Sequence, residues 1–386
     1  MHEGEIVFKE LHPFDPHSIK EMHSKSFQAV VEYVKKARQM NSHTIVYLDQ
    51  NYLSNMAKAR IGSIEDEDQA KFWYSLFNDL KKAVLTDKIA CPESEFQRHE
   101  ASYDRRLEGP IRKVIDELSW GLKFHTSTTI MESQIYDAAK RFLSREVEER
   151  ESWTKAFRTN PHAAAESRMI DLLGAKGRIN VHISYPDEII KHDRRLKAEF
   201  ANDKILPVKY QSNYSDWSEL LRREKISLIC SISGLSILDS DYQLWLEQKR
   251  RDYPQIDKFI VNERIADIER FYKRLSEIGI DTANTTMVAD FLISEELLSI
   301  PYIDIFSSIN AVKIMHYPNR KRRHSDFYDI PVLATILPYC DIVTTDIFMK
   351  EILIKRLNFD DKYNVKIFSA TKADRLAFQK LVRTLI

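Results

Sequence analysis

Cysteine and glycine are both scarce in this sequence. Its 386 residues include three cysteines, widely spaced and without a CxxC or Cys/His pattern, which argues against a disulfide framework and a structural zinc site. The eight glycines form no GxGxxG or Walker-type pattern, so a phosphate-binding loop for NAD or ATP is not supported. No GxSxG motif is present, and the isolated cysteines give no reason to expect covalent catalysis.

A net charge and a long apolar run are also missing. Lysine plus arginine total 58, which equals the 58 aspartates plus glutamates. The molecule as a whole therefore does not attract polyanions, and any contact with nucleic acid must be local. No run of about 18 apolar residues occurs, and the first residues lack the pattern of a signal peptide. We expect a cytoplasmic protein that does not contact membranes.

Hydropathy patterns indicate an α/β part in two halves with a helical stretch between them. Residues 1–42 form an irregular and helical lead-in, whereas residues 43–123 and 291–386 alternate short apolar strands with helices. This alternation predicts an α/β fold with a parallel sheet. Residues 124–290 are rich in charge, mostly helical and without a repeat of fixed period. We expect one α/β domain split by a helical insertion, although the length also allows two or three domains.

Two predicted strands end on an aspartate. Residues 44–48 form a β-branched and aromatic run that leads into Asp49, and residues 342–344 form a similar run that leads into Asp346. The carboxyl ends of parallel strands meet at one edge of a sheet, where ligands bind. Asp49 and Asp346 are therefore expected to be neighbours.

Further acidic residues are predicted at the same edge. Asp326 and Asp329 lie three residues apart at the start of an apolar helix, so they share one face near the positive end of the helix dipole. Glu95 and Glu100 belong to the helix that follows the second strand. Acids this close repel each other unless a cation compensates them. Mg²⁺ or Mn²⁺, which prefers oxygen ligands, suits such a pocket, and the sequence leaves open whether one or two ions bind.

A dense basic run immediately precedes the apolar helix. Arg320, Lys321, Arg322 and Arg323 are expected to bind phosphates of a nucleic acid beside the acidic pocket. Asn51, which follows the first strand, is assigned to the same substrate-binding set. A simpler interpretation also exists, since a basic run is often only a solvated loop.

The acids likewise have a purely structural interpretation. Asp and Asn are favoured at helix N-caps and in turns, so Asp49, Asp346, Asp326 and Asp329 could each be no more than a cap. Their joint occurrence at strand-to-helix junctions, next to a basic run, favours a functional site.

Several of these segments resemble PIN-like domains. The resemblance covers residues 43–105 and 300–372, under half of the chain. It is carried by YLDQN at residues 47–51, PESEFQRHE at 92–100, SDFYD at 325–329, LPYCD at 337–341 and VTTD at 343–346. It implies a Rossmann-like fold with a central parallel sheet and an Mg²⁺- or Mn²⁺-dependent endonuclease that prefers RNA to DNA. Such proteins are often toxins, RNA-processing enzymes or defence effectors.

The resemblance also implies roles for single residues. Asp49 matches the first acid of the family, Asp346 the last, and Asp329 the acid that opens the penultimate helix, with Asp326 as its companion. Glu100 fits the second acid better by its distance from the proline at position 92, and Glu95 is the alternative.

The long insertion departs from the family's pattern, and we expect it to contact a second copy of the chain or a regulatory partner. Two other functions stay open. A HAD-type phosphatase also begins with a strand that ends in Asp, but it needs a second Asp where Asn51 stands. A non-catalytic nucleic-acid-binding or scaffold protein with a PIN-like fold is the other alternative.

Overall fold

The computed structural model describes residues 44–86, 88–143, 216–233, 268–318, 320 and 326–386. In its first part β1 (Thr44–Tyr47), α1 (Gln50–Arg60), α2 (Glu67–Leu85), β2 (Ile89–Ala90), α3 (Glu95–Ala101) and α4 (Arg105–Ser119) follow one another. The middle part contains α5 (Ser127–Phe142), α6 (Trp217–Ser233), α7 (residues 268–278), α8 (Thr285–Leu292) and α9 (Glu295–Leu298).

The last part begins with two long helices, α10 (Pro301–His316) and α11 (Asp326–Ile336), which lead into β3 (Ile342–Thr345). After β3 come α12 (Ile347–Glu351) with a π-helical continuation (Ile352–Arg356), α13 (Phe359–Lys362), β4 (Lys366–Ser369) and α14 (Lys372–Leu385). The predicted alternation of strands and helices in both halves is confirmed. The predicted lead-in at residues 1–42 lies outside the described residues.

The four strands form one parallel sheet in the order β2, β1, β3, β4. β1 pairs with β2 on one side and with β3 on the other, where Val46 lies opposite Ile342 and Tyr47 opposite Val343. The prediction of an α/β protein with a parallel sheet is therefore confirmed. Because β1 and β3 are adjacent and parallel, both strands deliver their carboxyl ends to the same edge.

Both faces of the sheet are covered by helices, and the strand residues alternate between them. Ile45 and Tyr47 belong to a core shared with α10 and α11, whereas Val46 and Leu48 belong to a core shared with α1, α2, α4 and α14. This two-residue period explains why the strands read as continuous apolar runs, since a parallel sheet is buried on both sides.

The middle helices share a third apolar core with the last part of the chain. Ile135 of α5, Ile229 of α6, Phe271 of α7 and Phe291 of α8 pack in one cluster with Ile303 of α10. The described residues within 124–290 are mainly helical, and they pack directly on the second half of the α/β part. Among the described helices none is long and apolar enough to cross a membrane.

A buried carboxylate fastens α6 and α13 to α10. Asp304 of α10 is 6% exposed and accepts hydrogen bonds from Lys225 Nζ (2.9 Å), Lys362 Nζ (2.6 Å) and the Tyr363 hydroxyl (3.0 Å). Burial alone would raise the pKa of Asp304, but the hydrogen bonds from Lys362 and Lys225 outweigh burial and lower this pKa.

Replacing this carboxylate should destabilise the fold. Asp304→Asn leaves Lys225 partly buried without its counter-charge, and we expect a loss of about 3 kcal/mol in the free energy of unfolding at neutral pH. Because the pKa of Asp304 is lowered in the folded protein, its stabilising effect in wild type is lost as pH falls through this pKa. The difference in stability between wild type and Asp304→Asn should therefore shrink below about pH 4. Urea unfolding at both pH values measures the effect, with the exposed Asp361→Asn as control. Equal stability of Asp304→Asn and wild type at neutral pH would contradict this account.

Candidate functional site

The carboxyl ends of β1 and β3 are tied together by one threonine hydroxyl. Asp49 N donates a hydrogen bond to Thr344 Oγ1 at 2.7 Å, and this hydroxyl in turn donates to Tyr47 O at 3.3 Å. Thr344 is completely buried. Its position fixes the residue after β1 relative to β3 and so determines where Asp49 stands.

Asp49 and Asp346 both act as helix caps. Asp49 Oδ2 accepts from the backbone N of Asn51 (3.4 Å) at the start of α1, and Asp346 Oδ1 accepts from Met349 N (2.6 Å) at the start of α12. The structural interpretation of these residues is therefore correct as far as it goes. Each cap uses one carboxylate oxygen, which leaves the other as a ligand atom.

The two carboxylates are also electrostatically coupled. Burial raises the pKa of Asp49 to about 6, and the nearby charge of Asp346 adds to this rise, while hydrogen bonds from Asn51 and Gln50 oppose it. A carboxyl group with a raised pKa is costly to ionise in the folded chain. This effect of Asp346 on the pKa of Asp49 agrees with the predicted proximity of the two residues.

Glu100 and Asp329 complete an acidic cleft with Asp49. The cleft lies between α3, α11 and the ends of β1 and β3, and these three carboxylates line it together with Tyr47 and Tyr328. Phe96 also lines the cleft, and its ring lies 5.7 Å from that of Tyr328. The predicted acids from both halves of the sequence therefore meet at one place.

α3 is held against β1 by Gln97. Its Nε2 donates to Leu48 O at 2.5 Å, and its Oε1 accepts from Ser94 N at 2.9 Å. Because Glu100 follows Gln97 by three residues, it lies one turn further along the same side of the helix. The buried contacts of Gln97 therefore set the position of Glu100.

An ion cluster behind α3 strengthens this attachment. Arg98 pairs with Glu93, which is 4% exposed, and with Asp116 of α4 at 2.6 Å; Lys123 pairs with the same Glu93 at 2.7 Å. Burial alone would lower the pKa of Arg98, but the hydrogen bonds and charges of Glu93 and Asp116 outweigh it and raise this pKa. The cluster fixes the base of the helix that carries Glu100.

Tyr47 is a site residue that the sequence interpretation missed. Its hydroxyl is 3.3 Å from Ser94 Oγ. Burial raises its pKa well above the usual value, and the charges of Asp49, Glu100 and Asp329 raise it further. The sequence spacing could have predicted this. Tyr47 and Asp49 are two residues apart at the end of an extended strand, so their side chains point to the same side.

Asp326 and Glu95 contact other groups. Asp326 forms an ion pair with Lys313 of α10 at 2.7 Å, and both side chains are almost completely buried. Glu95 accepts a hydrogen bond from Ser127 N at 3.0 Å, at the start of α5. Neither residue lines the cleft, whereas Glu100 does, and Asp326 is placed to orient α11.

The predicted phosphate-binding residues are only partly described. The guanidinium carbon of Arg320 lies 3.1 Å from the ring centroid of Phe348, two residues after Asp346 on α12, so this cation stands near the acidic edge. Asn51 is exposed, and its Nδ2 donates to Asp49 Oδ2 at 3.0 Å. Lys321, Arg322 and Arg323 lie outside the described residues.

β4 brings a further acid to the same edge. Asp374 at the start of α14 accepts hydrogen bonds from Ser369 N (2.8 Å) and from Lys350 Nζ of α12 (2.7 Å). Burial alone would raise its pKa, but the bonds from Lys350 and Ser369 lower it. Because this carboxylate is already neutralised, it stabilises the edge and is a poorer ligand than Asp49.

The donor set suits a hard divalent cation in its chemistry. Four carboxylates from β1, α3, α11 and the end of β3 supply oxygen atoms only, which is what Mg²⁺ and Mn²⁺ bind. Within the described part of the chain, however, no three His, Cys, Asp or Glu side chains stand close enough together to hold a metal ion. Binding would therefore require side-chain rotations that draw the carboxylates inward.

Comparison with known proteins yields no relative. No protein family, no curated protein and no solved structure matches this chain. The function must therefore be argued from the site itself.

Ionisation of Asp49 should make the metal-free protein less stable at neutral pH. A folded-state pKa of about 6 lies above the unfolded value of 3.8, so the contribution of Asp49 to stability is greatest below about pH 4 and is lost as pH rises through about 6. Asp49→Asn keeps a good cap and removes this cost. Thermal unfolding in EDTA should show a gain of about 1–3 kcal/mol for Asp49→Asn at pH 7 and little at pH 4.

The matched control for this prediction is Asp66→Asn. Asp66 caps α2 in the same way as Asp49 caps α1, but it is exposed and its hydrogen bond from Gln69 lowers its pKa. This variant should gain no stability at pH 7. A stability gain in both variants, or in neither, would contradict the conclusion that ionised Asp49 destabilises the metal-free fold.

The Lys313–Asp326 pair should behave as a buried ion pair. Asp326→Asn or Lys313→Met alone leaves an uncompensated buried charge, with an expected loss of about 3–5 kcal/mol, whereas Lys313→Met combined with Asp326→Leu should recover most of it. Urea unfolding of the two single variants and the double variant measures this. A double variant no more stable than either single variant would show that the pair does not act as a unit.

Proposed function

We propose that this chain is a metal-dependent endoribonuclease with a PIN-like fold. The observation that carries the proposal is the meeting of Asp49, Glu100 and Asp329 in one cleft, with Asp346 coupled to Asp49 at its rim. The acids come from segments nearly 300 residues apart, and each lies at the start of a helix or within one at the carboxyl edge of the sheet.

The burial of Asp49 and its repulsion by Asp346 support a cation-binding role. Asp49, Asp346, Glu100 and Asp329 would hold Mg²⁺ or Mn²⁺, and their negative charges would no longer oppose one another. When bound, the ion supplies an activated water and stabilises charge on the phosphate oxygens.

Tyr47 adds a neutral donor to the cleft. Burial and three nearby carboxylates keep its phenol protonated across the physiological pH range. A protonated phenol among acids donates a hydrogen bond, either to a carboxylate or to a phosphate oxygen of the substrate. Asp326 takes no direct part in the chemistry and acts as a positioning residue for α11 and hence for Asp329.

Single-stranded RNA is the substrate that the cleft supports best. The rings of Phe96 and Tyr328 line it beside the acids, and aromatic side chains bind unpaired bases by stacking. Arg320 lies on Phe348 beside Asp346 and is placed to contact a phosphate near the scissile bond. The resemblance to PIN-like ribonucleases, which include toxins and defence effectors, points to the same substrate class.

A HAD-type phosphatase is poorly supported. Its general acid would stand at position 51, where Asn51 donates its amide hydrogen to Asp49 and carries no proton for transfer to a leaving group. A non-catalytic nucleic-acid-binding protein is the second candidate. It is favoured by one observation, namely that no three potential ligands are close enough to hold a metal among the described residues.

A cleavage assay decides between these functions. Wild type with Mg²⁺ or Mn²⁺ should cleave single-stranded RNA in preference to structured RNA and DNA, and Asp49→Asn and Asp346→Asn should each lower the rate by about 100-fold or more. Both substitutions retain a helix cap, so folding should survive. Calorimetric titration with Mn²⁺ should show binding to wild type and weaker binding to both variants.

Asp66→Asn serves as the control, because it changes an exposed cap far from the cleft residues and should leave cleavage unchanged. If wild type binds no divalent cation and the two site variants match it in every assay, the nuclease proposal fails and the binding protein stands. Cleavage of DNA without cleavage of RNA would preserve the mechanism and overturn the substrate.

A further inference from the structure

A basic groove lies between α5 and α7, away from the acidic cleft. It encloses about 600 Å³ and is open to solvent. Its cationic lining residues are Lys140, Arg270, Lys273 and Arg274. A single acid, Glu277, lines it as well. In a chain with no net charge, four cations against Glu277 on the lining and Glu132 beside Arg270 make a local excess of positive charge.

The two walls of the groove are held in fixed relation by a buried apolar contact. Ala138 and Ala139 of α5 belong to one core cluster with Phe271 and Leu275 of α7, and all four side chains are buried. The charged residues lie on the outer sides of the same two helices. The spacing of the cations therefore follows from a packed core rather than from flexible side chains alone.

Three of the four cations at this groove have no ion-pair partner among the described residues. Arg270 has Glu132 at 3.7 Å. Lys140, Lys273 and Arg274 are exposed, and they form no ion pair with any acid in the part of the chain that the structure describes. Arg270, Lys273 and Arg274 follow the i, i+3, i+4 spacing of one helix face, so their charges point to the same side. Such an arrangement suits successive phosphates better than a single anion.

An aromatic ring lies among these cations. Tyr136 lines the groove, and the guanidinium carbon of Arg274 is 5.5 Å from its ring centroid. An aromatic ring next to a planar guanidinium provides surfaces on which unpaired bases stack. A lipid headgroup has no planar base to stack on this ring.

α5 leads from the start of α3, the helix that carries Glu100, to the groove. Its first residue, Ser127, contacts Glu95 at the start of the helix that carries Glu100. Tyr136 and Lys140 lie nine and thirteen residues further along α5, which is about 14–20 Å at 1.5 Å per residue. This span corresponds to about four to six nucleotides of a helical strand.

We propose that the groove between α5 and α7 binds the phosphate backbone of single-stranded RNA. Its identification as a substrate-binding extension of the cleft rests on the proposed nuclease function. Binding of the RNA backbone at the groove rests on the positive charge of the groove, the spacing of its cations and the ring of Tyr136. The middle helices would then hold the strand while the acids of the α/β part act on it.

Binding measured without metal tests this proposal separately from cleavage. Fluorescence anisotropy with a short labelled single-stranded RNA in EDTA would compare wild type with Lys140→Ala/Lys273→Ala/Arg274→Ala. This triple variant spares Arg270 and its contact with Glu132. We expect at least about a tenfold loss of affinity, and a fall of about two in the slope of log K against log salt, since each lost phosphate contact contributes about 0.7.

The matched control is Lys82→Ala/Lys113→Ala/Arg356→Ala, which removes the same number of lysines and arginines from exposed, scattered positions on α2, α4 and after α12. It should bind RNA like wild type, and thermal unfolding should show that both triple variants are folded. Equal affinity of the two triple variants for RNA, or absence of RNA binding by wild type, would overturn the proposal. Groove-dependent binding to phosphatidylserine vesicles without binding to RNA would overturn it as well.

Cleavage by the same proteins separates the two proposals. If wild type binds RNA through the groove but cleaves nothing with Mg²⁺ or Mn²⁺, the nuclease proposal fails and the groove stands. If wild type cleaves RNA and the groove variant binds and cleaves equally well, the groove proposal fails and the nuclease stands.

Discussion

The parallel pairing of β1 with β3 is the constraint on which the rest of the structure depends. It joins residues nearly 300 positions apart, and the Thr344 hydroxyl locks the register by bonding to the backbone on both sides of Leu48. Every other feature of the acidic edge follows from it, since Asp49 and Asp346 can only repel each other when these two strands are neighbours. β2 and β4 then extend the sheet on either side of the central pair.

The acids at this edge combine two roles that oppose each other energetically. As caps, Asp49 and Asp346 satisfy backbone N–H groups at the start of α1 and α12 and so stabilise the helices. As close, partly buried carboxylates, they cost free energy whenever both are ionised. Asp374 shows the alternative, because Lys350 neutralises it and its pKa falls. The pKa of Asp49 is raised and that of Asp374 is lowered at the same sheet edge. This difference is the physical reason for placing the function at Asp49.

The sequence predicted the strands and their terminal acids well, because apolar runs that end on Asp are local patterns. It predicted less well which acids share a cleft. Asp326 and Asp329 fit the i, i+3 pattern of one helix face, yet Asp326 turns to Lys313. Nothing local shows that a lysine within the apolar run of α10 is buried opposite it. The basic groove could not be predicted from the sequence for a similar reason. α5 and α7 are separated by more than a hundred residues, and only their packing brings the cations together.

The separation of β1 from β3 along the chain also affects when the site forms during synthesis. A ribosome that has made β1 and α3 has produced Asp49 and Glu100, but Asp329 and Asp346 follow Glu100 only after more than two hundred further residues. Until β3 emerges, β1 lacks its central partner and the cleft has no second half. Under the proposed nuclease function, the site would be incomplete on the nascent chain, and the messenger and ribosomal RNA beside it would not meet a finished nuclease.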